Sequence, residues 1–271
     1  MAYVKQTWTD RPSKTTPINA ARLNHMEEGI YEASQSSQSS AMQNAGSHNV
    51  FRGKDLGTSF TDAQSAQIVA GTFDDLFVGD YWTINEKIYR IAGFDIYLGM
   101  GVEKVTSHHA VIVPDKSMYS AAMNDTDSTS SGYLNSKMKT ENLSQALTTV
   151  RTDFGESHVI SRNARLVKSA VDGVPTGVEF VNSYIDLMNE HQLFGSRVCE
   201  KVGSNDSMRG GIDSVQFPLF LFAPNLINDG IGYWTSSMWD GNYYVEIWNN
   251  GLVTYTNNTI AQGVRPFFLI A

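Results

Sequence analysis

The densest concentration of side chains able to recognise a ligand is Tyr233-Trp234-Thr235-Ser236-Ser237-Met238-Trp239-Asp240-Gly241-Asn242-Tyr243-Tyr244-Val245-Glu246-Ile247-Trp248-Asn249-Asn250-Gly251, continued by Leu252-Val253-Thr254-Tyr255-Thr256-Asn257-Asn258. Rigid aromatics interleaved with amides and carboxylates offer stacking area and hydrogen bonds at low entropic cost. Asn250-Gly251 suits a type I′ turn, whose two central positions need positive φ. That two-residue loop sets Trp248 opposite Val253, Glu246 opposite Tyr255 and Tyr244 opposite Asn257 on one side, with Val245, Ile247 and Leu252 on the other. The aliphatic side is then the core. Trp239, Asp240, Asn242, Tyr244, Glu246, Trp248, Tyr255 and Asn257 form the candidate binding set, against the reading that these rings cover a second core.

Other chemistry is thinly represented. His108 and His109 are neighbours whose side chains diverge on a strand, so they read as structural histidines rather than a chelating pair. Asn124-Asp125-Thr126-Asp127 begins like a calcium loop, but counting from Asp125 puts Ser130 at the glycine position and Ser136 at the bidentate glutamate position. Gly99-Met100-Gly101 is too short for a dinucleotide loop, and no phosphate loop or nucleophile elbow occurs. Cys199, the single cysteine, excludes an intrachain disulfide and reads as an incidental thiol near His191. Glu141, Asp186 and Glu190 read as solvated carboxylates on helices. No metal and no cofactor are expected.

Twenty Lys and Arg against 28 Asp and Glu leave a net charge of −8, which disfavours nucleic acid and anionic membranes as partners. No apolar run is long enough to span a bilayer, and the first residues lack a signal peptide, so the expectation is a chain made in the cytoplasm without membrane insertion.

The elements that position these residues follow from patterning. Thr16-Pro17 suits a helix start, and Leu23, Met26, Ile30 and Ala33 follow at 3-4-3 spacing, the seam of a short coiled coil, before the Ser/Gln tract of Ser34 to Ser40. So narrow an apolar stripe points to self-association, against the reading of an unstructured or packed N-terminal arm. Thr61 with Gln64 fits a capping box before a helix to Ala70. Tyr81 to Ile84 and Lys87 to Ala92 form a hairpin around Asn85-Glu86, and Ala110 to Val113 is a buried run stopped by Pro114. Helical periodicity is expected from Tyr133 to Val150 and from Val178 to Met188. Phe217 to Phe222 is a short buried run, and Tyr233 to Ala271 is strand-like. The class is α+β with a terminal antiparallel sheet.

Two parts of the chain resemble known families. Trp8-Thr9-Asp10-Arg11-Pro12, Thr16-Pro17-Ile18-Asn19-Ala20 and Leu23-Asn24-His25-Met26-Glu27 resemble the start of tail and baseplate proteins of phages of Gram-positive bacteria. Gly79-Asp80-Tyr81-Trp82-Thr83-Ile84, Ile91-Ala92-Gly93-Phe94-Asp95, His108-His109-Ala110-Val111-Ile112-Val113-Pro114, Gly195-Ser196-Arg197-Val198, Tyr233-Trp234 and Gly263-Val264-Arg265-Pro266-Phe267 are similar to phage receptor-binding proteins with a C-type-lectin fold, phage tropism determinants among them. The resemblance implies residues 1–50 as a particle-attachment and trimerisation segment and residues 51–271 as a C-type-lectin-like receptor-binding domain, with 51–78 connecting. It implies a homotrimeric virion protein at the tail tip or baseplate that contacts other tail proteins. Trp248-Asn249-Asn250 lacks the carboxylate of calcium-dependent lectins, and the cysteine pair of formylglycine-generating enzymes is absent.

The expected function is therefore host attachment without catalysis. Between Ile231 and Val264 the sequence carries Asp240 and Glu246 and no Lys or Arg, which favours a neutral saccharide or a surface protein over anionic wall polymers. Alternatives are a tail-associated polysaccharide depolymerase with Asp240 and Glu246 as acid and base, and a structural baseplate subunit.

Overall fold

The computed structural model describes residues 19–41, 45–202 and 215–271. The chain divides into two compact units, Met1–Asn44 and Ala45–Ala271. In the first, the helix α1 spans Ala20–Ala41. The Asn19 side chain caps it by accepting from the Arg22 amide at 3.0 Å. The start expected at Thr16-Pro17 lies outside the described residues. Met26 and Ile30 of the apolar seam are exposed on this helix, with Leu23 half-buried and Ala33 exposed.

The second unit is mixed α+β with more strand than helix. A single turn α2 (Ala45–His48) leads to α3 (Asp62–Val69), whose capping box pairs Thr61 and Gln64 as expected. The strands β1 (Tyr81–Ile84) and β2 (Lys87–Phe94) form a hairpin whose turn residues Asn85 and Glu86 both have positive φ. The strand β3 (Ala110–Pro114) follows, then β4 (Tyr119–Ala122). A π-helical turn, Met138–Asn142, opens α4 (Leu143–Phe154), so the helix expected from Tyr133 begins five residues later. Tyr133 itself is buried, and its hydroxyl accepts from the Leu187 amide at 2.9 Å.

The short β5 (Val159–Ile160) precedes β6 (Arg162–Val171) and β7 (Val174–Ser183), a long hairpin, and then β8 (Ile185–Leu187). The helix expected over Val178 to Met188 is therefore strand. The signal that outweighs its periodicity is Asp172-Gly173 between Val171 and Val174, a two-residue turn with φ of 50° and 75° that commits both flanks to pairing. Asp186 and Glu190, expected on solvated faces, are both buried. Asp186 accepts from Lys139 at 2.7 Å and from Arg162 at 2.9 Å, and the Arg162 guanidinium lies over Tyr97 and Phe267. A buried carboxylate needs such pairing, because leaving it unmatched costs several kcal/mol, on the order of 3 to 5.

The helices α5 (Glu190–Phe194) and α6 (Pro218–Phe222) come next, then β9 (Tyr233–Met238), β10 (Tyr243–Ile247), β11 (Val253–Asn257), β12 (Ala261–Val264) and β13 (Pro266–Ile270). One sheet runs β1-β2-β3-β13-β5, with β8 also paired to β13, and a second runs β11-β10-β9-β12-β4. The terminal sheet is antiparallel except where β12 meets β9 in parallel. Aromatic and aliphatic side chains of both sheets, α3 and α4 merge into one core that includes Trp82, Tyr89, Phe154, Trp234, Tyr244 and Phe268. Arg265 is buried at the junction, donating to the carbonyls of Pro114, Ile227 and Leu226 at 2.8 to 2.9 Å and lying over Tyr233. It ties the last two strands to the β3 end and to the 224–227 turn.

Candidate functional site

The β10–β11 hairpin sets which residues face outward, and its register is one residue off the expected one. Tyr243 pairs with Asn257, Val245 with Tyr255 and Ile247 with Val253. Trp248 donates its amide to Leu252 at 2.8 Å and Gly251 donates to Trp248 at 2.8 Å, so the loop is three residues, Asn249-Asn250-Gly251, rather than two. Gly251 alone has positive φ, 84°, which makes this a type I turn closed by a left-handed glycine in place of a type I′ turn. Asn250 assists by accepting from the Leu252 amide at 3.0 Å. The slip changes which β11 residue lies opposite each β10 residue, while β10 itself is covered on both faces from Tyr244 to Ile247.

The consequences separate the expected set. Tyr244 and Glu246 do not face solvent: Tyr244 is wholly buried in the core and Glu246 is 4% exposed. Leu252, expected in the core, is 60% exposed at the hairpin tip, whereas Val245 and Ile247 are buried as expected. Trp239, Asp240, Asn242, Trp248, Tyr255 and Asn257 reach the surface. Burial pushes the Glu246 carboxyl upward, and one of its oxygens, like the Tyr244 hydroxyl, has no hydrogen-bond partner.

The outward face gathers a ring stack. Trp239 and Tyr255 lie nearly parallel, 11° apart with centroids at 5.0 Å, and Tyr243 meets Tyr255 edge-on at 5.5 Å. Three other segments brace the β9–β10 turn that carries Trp239. Thr129 donates its amide to the Gly241 carbonyl at 2.8 Å and its hydroxyl to the Asp240 carbonyl at 2.7 Å. The tip of the β6–β7 hairpin packs on the turn, and a Cβ at Gly173 would lie 2.4 Å from the Asp240 Cα, so only glycine fits there. Lys201 donates its backbone amide to Met238 and its ammonium to the Asp172 carbonyl at 3.0 Å, and lies 5.8 Å from the Trp239 ring centre.

Lys201 is placed by a buried carboxylate. Glu190 accepts the consecutive amides of Val198, Cys199 and Glu200 at 2.8 to 2.9 Å, winding that segment against α5. Glu200 turns inward and accepts from the Ser237 hydroxyl at 3.0 Å. Burial, reinforced by the Glu190 charge, pushes its carboxyl up to about 7. Burial also raises the Cys199 thiol, the direction of an unreactive side chain.

Two polar members of the surface are committed locally. Asp240 accepts from the Asn242 amide at 3.0 Å, and Asn257 accepts from the Thr259 amide and hydroxyl. At the far end of the hairpin, Trp248 is 50% exposed and Leu252 and Ile231 each 60%, an apolar tip. Tyr243, Lys201 and Asp172 were not expected in this surface. Tyr243 follows from counting Asn249-Asn250-Gly251 as a three-residue loop, whereas Lys201 and Asp172 reach it only through tertiary packing.

The histidine pair is structural. His108 bonds Asp95 at 2.7 Å, while buried His109 bonds the Ser107 carbonyl through Nδ1 and accepts from the Tyr97 amide through Nε2. Those partners fix a neutral ring, and burial lowers its basicity further. The 124–128 turn is closed by Asn124 on the Ser128 carbonyl, with Asp125 paired to Lys137. Among the described residues no three His, Cys, Asp or Glu side chains group closely enough to hold a metal ion, and no helix is long and apolar enough to cross a membrane. Comparison with protein families, curated proteins and solved structures returns no match.

Proposed function

We propose that this chain is a phage tail-tip adhesin, in which a C-type-lectin-like domain of residues 51–271 binds a host surface and α1 gathers three copies. The observation that carries the reading is the outward aromatic surface of the terminal sheet: the Trp239-Tyr255-Tyr243 stack and the Trp248 tip, held on strands by Thr129, Gly173 and Lys201. Exposed rings on a rigid support lose little entropy on binding and carry most of an interface's energy.

The receptor is a neutral saccharide or a surface protein. The Trp239 ring has Tyr255 against it and the Lys201 ammonium nearby, so Tyr255, Trp248 and the edges of Tyr243 are the rings open to a ligand, with Asn242 alongside. The apolar seam of α1, exposed at Met26 and Ile30, supports self-association. A depolymerase reading requires Asp240 and Glu246 as an accessible acid and base. Glu246 is buried between Trp234 and Thr254 on the interior strand β10, so adhesion without catalysis is better supported.

The test is binding of the purified full chain to intact cells from a panel of Gram-positive bacteria, read by flow cytometry. Adhesion to a subset, lost on Tyr255→Ala or Trp248→Ala, is the expected result. Binding to none, with retention on other tail proteins, points to the structural-subunit alternative, and release of reducing sugar from wall polysaccharide points to the depolymerase.

A further inference from the structure

The chain as a whole is acidic, but one groove of the second unit runs against that sign. It has a volume of about 520 Å³ and lies between the β2–β3 connection, the end of α4, β5 and the β7–β8 corner. That is room for one or two sugar rings. Thr106, Ser107, Ser157 and Ser161 put hydroxyls on its walls, groups that both donate to and accept from a polyol.

Its cations have unspent hydrogen-bonding capacity. Lys104 is exposed and has no ion-pair partner among the described residues. The Arg151 guanidinium lies 4.6 Å over the Tyr184 ring and reaches one carboxylate, Glu156, at 3.5 Å. Glu156 is 81% exposed, so that bridge is weak and screened. The Arg151 Nε is buried without an acceptor, so the rest of the partly exposed guanidinium is what a ligand can reach. A guanidinium held by stacking, with its terminal nitrogens engaged only by one exposed carboxylate, is placed to take the oxygens of a carboxylate or phosphate.

The frame is preformed. Gly99 donates to the Val105 carbonyl at 2.7 Å and Val105 to Met100, which fixes the Lys104 side of the groove, and His109 holds the Ser107 carbonyl. On the other side β5 pairs with β13. None of the lining residues belongs to the aromatic surface.

We propose that this groove binds an anionic saccharide, one or two rings bearing a carboxylate or a phosphate. Arg151 and Lys104 hold the anion, and the four hydroxyls hold the ring. The site stands independently of the adhesin reading, because it uses other residues and another ligand charge.

The experiment is calorimetric titration of the full chain with digalacturonate, with galactose 1-phosphate and with neutral lactose. Binding of either anionic sugar supports the proposal, and the preference between them identifies the anion. Arg151→Gln should weaken that binding at least about tenfold and Lys104→Gln about threefold, with Tyr255→Ala unchanged. Lys104→Gln is a surface change that keeps the fold, so the test survives if Arg151→Gln is poorly folded. No binding of either anion up to roughly 10 mM, lactose binding as tightly as the anions, or full binding by folded Arg151→Gln overturns it.

Discussion

Tyr243 and Tyr244 are consecutive residues of one strand with opposite fates. Tyr243 joins Trp239 and Tyr255 on the outward face, while Tyr244 is sealed in the core with its hydroxyl unpartnered. At the far end of the strand the order reverses: Ile247, on the face of Tyr243, is buried, whereas Trp248, past the end of the strand, is half-exposed at the hairpin tip. Chemistry does not decide between these residues, since both members of the first pair are tyrosines. Position in the sheet decides: β10 is covered on both faces from Tyr244 to Ile247, and only its ends, Tyr243 and the tip at Trp248, reach the surface. The inner residues therefore contribute stability, and the outer ones are free to contribute binding.

Substitutions on the two faces should break this division unequally. Tyr244→Ala should cost about 3 to 5 kcal/mol, because it empties a wholly enclosed ring site, and Ile247→Ala about 2 to 5 kcal/mol, both measured by denaturant melts. The next effect is on pH. The Glu200 carboxyl, raised to about 7, binds its proton more tightly folded than unfolded, so the contribution of this group to stability is greatest at and below pH 4.5. It should fall as the pH rises from 4.5 to 7 and then level off, losing up to about 3 kcal/mol from this group, with the buried Glu246 acting in the same direction. Glu200→Gln should flatten the melting-temperature profile across that window, whereas an unchanged slope would mean that Glu200 is not held as described.

Tyr244→Phe separates ring from hydroxyl. With no partner to lose, it should change stability by less than about 1 kcal/mol or raise it, while a loss above that would reveal a bond to the hydroxyl. Tyr255→Ala is likewise expected within about 1 kcal/mol, because the ring is 44% exposed and meets only Trp239 and Tyr243.

The same residues show how far sequence reasoning reached. The Thr61-Gln64 capping box, the hairpin around Asn85-Glu86 and the strand ended by Pro114 were legible because each is a local signal satisfied by neighbours in sequence. The two errors of register and type both concern turns. Asn250-Gly251 reads as a two-residue loop but uses Asn249 as well, and Asp172-Gly173 is the true two-residue turn, hidden under a helical spacing from Val178 onward. Polar residues were the least legible. Asp186 with Lys139 and Arg162, Glu190 with the 198–200 amides, and Lys201 at Trp239 are joined by packing between segments distant in the chain, and nothing in their local spacing announces it. Of the binding set, Trp239, Asp240, Asn242, Trp248, Tyr255 and Asn257 reach the surface, whereas Tyr244 and Glu246 are buried because β10 is covered on both faces, which no local spacing announces.

The central claim is that outward rings bind and inward rings support. It is tested most directly by measuring, on one purified preparation each of Tyr255→Ala, Trp248→Ala and Tyr244→Phe, the melting temperature and the adsorption to a bacterial strain that the unaltered chain binds. The account predicts unaltered melting for all three, adsorption lost in the first two and adsorption retained in Tyr244→Phe. Full adsorption by folded Tyr255→Ala and Trp248→Ala would contradict it.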